Sequence, residues 1–121
     1  MLKKILIVDD DPGIHLLLVP ALAKVGYTVV SAKNGEHGFQ LALNERPDLI
    51  ILDVIMPGIK GRDLCLKIKS YDVLKHIPVI FLTAKDSIED VQAELEAGAL
   101  THLNKPINPS ELVAAVRSTI G

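Results

Sequence analysis

A single cysteine, Cys65, is all the chain carries, so no internal disulfide can form and nothing asks for an oxidising compartment. Charge of one sign is not in excess either. Thirteen Lys and Arg against fifteen Asp and Glu leave a formal net charge of -2, which gives no general attraction to nucleic acid or an anionic membrane. DNA binding is therefore disfavoured for this segment. Long hydrophobic runs are missing: the apolar opening that ends at Val8 is broken at once by Asp9, Asp10 and Asp11, too soon for a signal peptide or a membrane span. A cytoplasmic location is expected. No repeat, linker or low-complexity tract interrupts the chain, and aromatic residues make up only 3 % of it, so the apolar 49 % is mostly aliphatic.

What is present is ordinary globular composition, with 23 % charged residues, in 121 residues that fit one domain. A chain of this size buries roughly two-thirds of the surface that its unfolded form exposes. Short apolar runs rich in β-branched residues recur at 5–8, 28–32, 49–52 and 79–82, with a weaker one at 101–103. They are continuous rather than alternating, as expected of parallel strands covered on both faces. Helical periodicity fills the stretches between them. The expected fold is a doubly wound α/β, (βα)5, flavodoxin-like domain with a parallel five-stranded sheet in the order 2-1-3-4-5.

Several helix boundaries are legible. Asp11 reads as an N-cap with Pro12 at the first helical position, and Gly26 as the stop after Val25. Pro20 falls inside that helix, where it removes the hydrogen bond to the Leu16 carbonyl and is expected to kink or open it. A fourth helix is expected near residues 88–97. In the last helix, from Pro109 to Ile120, Asn108 is the expected N-cap and Leu112, Val113 and Val116 the buried stripe.

In open parallel sheets ligands bind beyond the carboxyl ends of the strands. Strand 1 ends in Asp9, Asp10 and Asp11, strand 3 in Asp53 and strand 4 in Thr83, while Lys105-Pro106 follows strand 5. Strands 1 and 3 are neighbours in the expected order, so Asp9, Asp10 and Asp53 should converge and repel one another. A hard cation resolves that repulsion, and an all-oxygen ligand set suits Mg²⁺. With Lys105 as a second positive charge, a phosphoryl group could be held while the Asp53 carboxylate attacks phosphorus in line and Thr83 donates a hydrogen bond.

The motifs run in order: Ile5-Leu6-Ile7-Val8-Asp9-Asp10-Asp11; Pro47-Asp48-Leu49-Ile50-Ile51-Leu52-Asp53-Val54-Ile55-Met56-Pro57-Gly58; Gly61; Pro78-Val79-Ile80-Phe81-Leu82-Thr83-Ala84; Gly98-Ala99; and Lys105-Pro106. Over essentially its whole length the chain resembles the response regulator receiver family of two-component signalling. The resemblance implies one receiver domain over residues 1–121, with Asp53 as the phosphorylation site. It implies that Asp9, Asp10, Asp53 and the Ile55 backbone carbonyl bind Mg²⁺. Thr83 is then the switch hydroxyl and Lys105 the ion-pair partner of the phosphoryl group, followed by a cis peptide at Pro106. The implied donor is a histidine kinase or phosphotransfer protein. The receiver would be no enzyme beyond catalysing its own phosphorylation and slow hydrolysis of the aspartyl phosphate. Its output would pass through helix 4, strand 5 and helix 5 to a downstream protein, an output domain outside these residues, or a second copy by dimerisation.

His102 departs from the pattern, standing where the family usually carries Tyr or Phe. Either it still couples phosphorylation to the outer face, with altered strength and pH sensitivity, or it is a solvent-facing residue with weakened coupling. His15, His37 and His76 lack ligand spacing and read as surface residues. Cys65 reads as packing. Ile55 puts an apolar side chain beside the site, and Ile107 replaces a frequent Phe. Among rival functions, aspartyl-nucleophile phosphatases place the nucleophile after the first strand and need a cap, which is lacking here. Flavodoxin-like cofactor binding needs a phosphate loop where this chain has three repelling aspartates. A degenerate receiver would lack residues that are all present.

Overall fold

The computed structural model describes residues 2–84 and 88–121, with side chains omitted for 88–91. Strands and helices alternate: β1 (Lys4–Val8), α1 (Pro12–Lys24), β2 (Thr28–Ala32), α2 (Gly35–Glu45), β3 (Leu49–Asp53), α3 (Gly61–Lys69), β4 (Val79–Thr83), α4 (Ile88–Glu96), β5 (Thr101–Asn104) and α5 (Pro109–Ile120). All neighbouring strands pair in parallel, in the order β2-β1-β3-β4-β5. The expected topology is therefore the observed one. Ile88 begins α4, as read from the sequence, but its side chain lies outside the described residues.

Burial follows position in the sheet. Every residue of β3 and β4 is buried, whereas the edge strands β2 and β5 are half exposed. Thr101, His102 and Asn104 give β5 the polar character that suits an edge. Two apolar clusters flank the sheet. On one face Ile5, Ile7, Ile51 and Leu82 meet Ile14, Leu18 and Leu22 of α1 and Leu112 and Val116 of α5. On the other, Leu6, Val8, Leu52 and Phe81 meet Phe39 and Ala42 of α2 and Leu64, Cys65 and Ile68 of α3. Alternate residues of one strand feed opposite clusters, as the two-residue period requires. Val113 packs against its cluster while only partly buried.

The helix caps agree with the sequence. Asp11 accepts from Gly13 N–H at 2.9 Å, and Asn108 accepts from Ser110 N–H at the same distance. Gly26, with φ at 102°, takes the left-handed conformation that ends α1. The opening expected at Pro20 is not seen: α1 stays helical through it. Pro20 and Leu16 both lie on the exposed face, where water can take up the Leu16 carbonyl that proline leaves without a donor. Among the described residues no helix is long and apolar enough to cross a membrane.

Candidate phosphoryl and cation site

Strand register brings the expected residues to one edge. Val8 pairs with Leu52, Leu52 with Phe81, and Thr83 with Asn104, so Asp9, Asp53, Thr83 and Lys105 all lie at or just beyond the carboxyl ends of adjacent strands. The site straddles β1 and β3, where the connections turn to opposite faces of the sheet. Asp9 is fully buried, Asp53 is 5 % exposed, and Asp10 is exposed. One carboxylate oxygen from each can be chosen so that all three lie within 4.8 Å of one another.

Lys105 Nζ stands 3.2 Å from Asp9 Oδ2 and 3.3 Å from Asp53 Oδ1. Its backbone is fixed by an N–H donated to the Thr83 carbonyl at 2.7 Å, which ties the end of β4 to the residue that supplies the ammonium. The Lys105-Pro106 peptide is cis, as the resemblance implied. Burial alone would lower the lysine pKa, but the Asp9 and Asp53 carboxylates outweigh it and hold the ammonium above its ordinary value.

Asp53 has the opposite imbalance. Burial, then the Asp9 charge, push its pKa from 3.8 to about 6, and Lys105 together with the Ile55 N–H only partly restores the charged form. Three carboxylates therefore carry more negative charge than the ammonium that faces them can offset. Their donors are all hard oxygens, with no imidazole or thiolate in the cluster, so the residues fit Mg²⁺ and give a softer metal nothing to prefer.

Thr83 is buried at the end of β4, one residue past the Leu82 that pairs with Asp53. The Ile55 N–H lies 3.4 Å from Asp53 Oδ1, while the Ile55 side chain is 59 % exposed beside the site. His102 lies on the edge strand opposite Phe81, two residues before the Thr83 that ends β4. Its ring is only partly exposed, and Nδ1 is 3.9 Å from a carboxylate oxygen of the buried Glu94, too far for a hydrogen bond. It is not a freely solvated histidine.

Two features escaped the sequence reading. His37 and His76 are exposed as expected, but His15 is partly buried and its Nε2 lies 2.7 Å from the Asp9 carbonyl oxygen. Its place one turn after Asp11 on α1 was the available signal, since helical side chains lean toward the N-terminus. The other is what Gly61, already named among the motifs, touches: its N–H donates to the Val54 carbonyl at 3.0 Å and seats the start of α3 on the backbone behind Asp53. Cys65 is buried as expected, and burial pushes its thiol up to about 11, far from a reactive thiolate.

Comparison with known proteins agrees with this geometry. The sequence model described as response regulator receiver domain matches residues 5–117. The sporulation initiation phosphotransferase F of Bacillus subtilis is 40 % identical over 117 residues, covering 97 % of this chain and 93 % of that protein. The alkaline phosphatase synthesis transcriptional regulatory protein PhoP of the same organism is 39 % identical over 99 % of this chain, which spans only 49 % of PhoP. This chain thus covers about half the length of the transcriptional regulators it matches. Among solved structures, the chemotaxis response regulator CheY4 of Vibrio cholerae superposes with a TM-score of 0.94 at 31 % identity, over 99 % of this chain and 100 % of that one.

Proposed function

This chain belongs to the response regulator receiver family, the phosphoacceptor domains of two-component systems, and on that premise we propose that Asp53 is its phosphoacceptor. The observation that carries this assignment is the Lys105 ammonium set between the Asp9 and Asp53 carboxylates inside an excess of negative charge. Residues 1–121 act as one receiver domain. Family members interact with histidine kinases or phosphotransfer proteins, and such a protein is the donor here.

Each residue then has a chemical task. The Asp53 carboxylate attacks phosphorus as the bond from phosphorus to the donor imidazole breaks, and because the other ring nitrogen of that imidazole is protonated the products are an aspartyl phosphate and a neutral histidine. Lys105 leaves Asp53 Oδ1 for the transferred group and offsets its charge. Thr83 donates its hydroxyl to a phosphoryl oxygen. Asp9, Asp10, Asp53 and the Ile55 carbonyl hold Mg²⁺, which when bound supplies charge neutralisation for the phosphoryl oxygens. Ile55 offers no polar group to orient water. Family members are generally signalling domains rather than enzymes, and self-phosphorylation with slow hydrolysis is the whole of this chain's catalysis.

Movement of Thr83 toward the phosphoryl group alters the surface of α4, β5 and α5 through His102, which replaces the usual aromatic and sits against Glu94. That surface meets a downstream protein, an output domain or a second copy. The setting is the cytoplasm. Intact-mass measurement after incubation with acetyl phosphate tests the core of this reading: one phosphoryl group should be gained only when Mg²⁺ is present, and none by Asp53→Asn. Gain without Mg²⁺, or gain by the Asn variant, refutes it.

A further inference from the structure

Asp9 is held at four points. Its N–H donates to the Ala32 carbonyl at 3.1 Å, its Oδ1 accepts from the Asp11 N–H at 2.9 Å, its Oδ2 faces Lys105, and its carbonyl oxygen meets His15 Nε2 at 2.7 Å. A carbonyl can only accept, so Nε2 carries the proton in this contact. His15 Nδ1 is buried with no hydrogen-bond partner among the described residues, so the Asp9 carbonyl is the ring's polar attachment there.

The peptide from Asp9 to Asp10 is planar, so fixing the Asp9 carbonyl fixes the plane that leads into the Asp10 backbone. Asp10 is exposed, and its carboxylate belongs to the same oxygen cluster as those of Asp9 and Asp53. We infer that His15 is a positioning residue for the cation site, orienting the peptide that joins the two acidic residues so that both carboxylates aim at one point. It acts through the backbone and touches no reacting atom. The role rests on the reading of Asp9 and Asp10 as cation ligands.

Calorimetric titration of the unphosphorylated protein with MgCl₂ tests this without any turnover. A Gln amide nitrogen reaches about as far as Nε2 and can donate to the Asp9 carbonyl, whereas an Asn amide stops near Nδ1 and Ala has none. We expect Kd for Mg²⁺ to rise about tenfold in His15→Ala and His15→Asn, and to stay within about twofold of wild type in His15→Gln. Urea unfolding in EDTA, where the cation plays no part, reports the structural cost of each substitution separately. If His15→Ala does not fold, the contrast between Gln and Asn decides alone. An unchanged Kd in Ala or Asn, or equal weakening in all three variants, overturns the inference while leaving the cation site standing. A wild-type protein that binds no Mg²⁺ overturns both.

Discussion

Gly61 lies so close behind Asp53 that a Cβ on it would stand 2.1 Å from the Asp53 carbonyl oxygen. A backbone oxygen cannot step aside as a flexible side-chain end can, so any side chain at 61 must displace the start of α3 or the end of β3. The Gly61→Ala variant should lose about 1–3 kcal/mol of stability in urea titration. It should also accept phosphoryl from acetyl phosphate more slowly, because the displaced backbone carries Asp53, the proposed nucleophile. A variant as stable and as reactive as wild type would show that the contact relaxes at no cost.

Lys105 offsets charge on Asp9 and Asp53, and in the proposed reaction on the transferred phosphoryl group. Lys105→Met should slow phosphorylation by about a hundredfold, the usual scale for removing one preorganised electrostatic contact. Mg²⁺ binding should persist, since the carboxylates are untouched. Loss of cation binding in this variant would mean that the lysine shapes the carboxylate cluster rather than the reaction.

Asp53 makes stability depend on pH in a direction opposite to that of a carboxylate whose ion pair dominates, because burial and the Asp9 charge outweigh its contact with Lys105. With its pKa raised from 3.8 to about 6, the folded protein binds more protons than the unfolded chain between those values. Stability without a divalent cation therefore falls as pH rises through this window, and the full penalty stands above it. Asp53→Asn, which never ionises, should be more stable than wild type at neutral pH in EDTA, by at most about 3 kcal/mol. The advantage should close as pH falls toward about 4. Urea titrations across that range check it, and a gap that widens on acidification would contradict the charge imbalance.

His102 and Glu94 give the proposed switch a readable marker. Beryllium fluoride, a phosphoryl mimic, should change the orientation of the His102 ring relative to Glu94, observable by crystallography or by histidine ring resonances. His102→Ala should still be phosphorylated at Asp53 at a rate within about twofold of wild type, because His102 pairs with Phe81, two residues before Thr83, and has no role in the proposed phosphoryl transfer. An unchanged ring with and without the mimic would remove His102 from the switch.

Much of this arrangement was legible in the order of residues. Continuous apolar runs marked strands covered on both faces, and the polar residue that ended each run marked the site edge, because parallel strands in register align their ends. What stayed hidden depends on which atoms meet rather than on how often apolar residues recur. His15 looked like a surface histidine because its partner is a backbone carbonyl, which leaves no trace in side-chain pattern. Gly61 was visible as part of a motif, but not the close approach that excludes a Cβ. Pro20 looked disruptive because the sequence could not show that Leu16 and Pro20 share the solvent side of α1. The pairing of His102 with Glu94 joins a strand to a helix eight residues earlier, a contact that only the packed fold defines.

The assignment of the acceptor is tested most directly by chemical trapping. After treatment with acetyl phosphate and Mg²⁺, borohydride cleaves an aspartyl phosphate reductively and leaves homoserine in place of the aspartate. Peptide mass spectrometry should then find homoserine at position 53, dependent on both reagents and absent from Asp53→Asn. Homoserine at Asp9 or Asp10 instead, or phosphoryl gain with position 53 unaltered, would contradict the assignment of Asp53 as the phosphoacceptor.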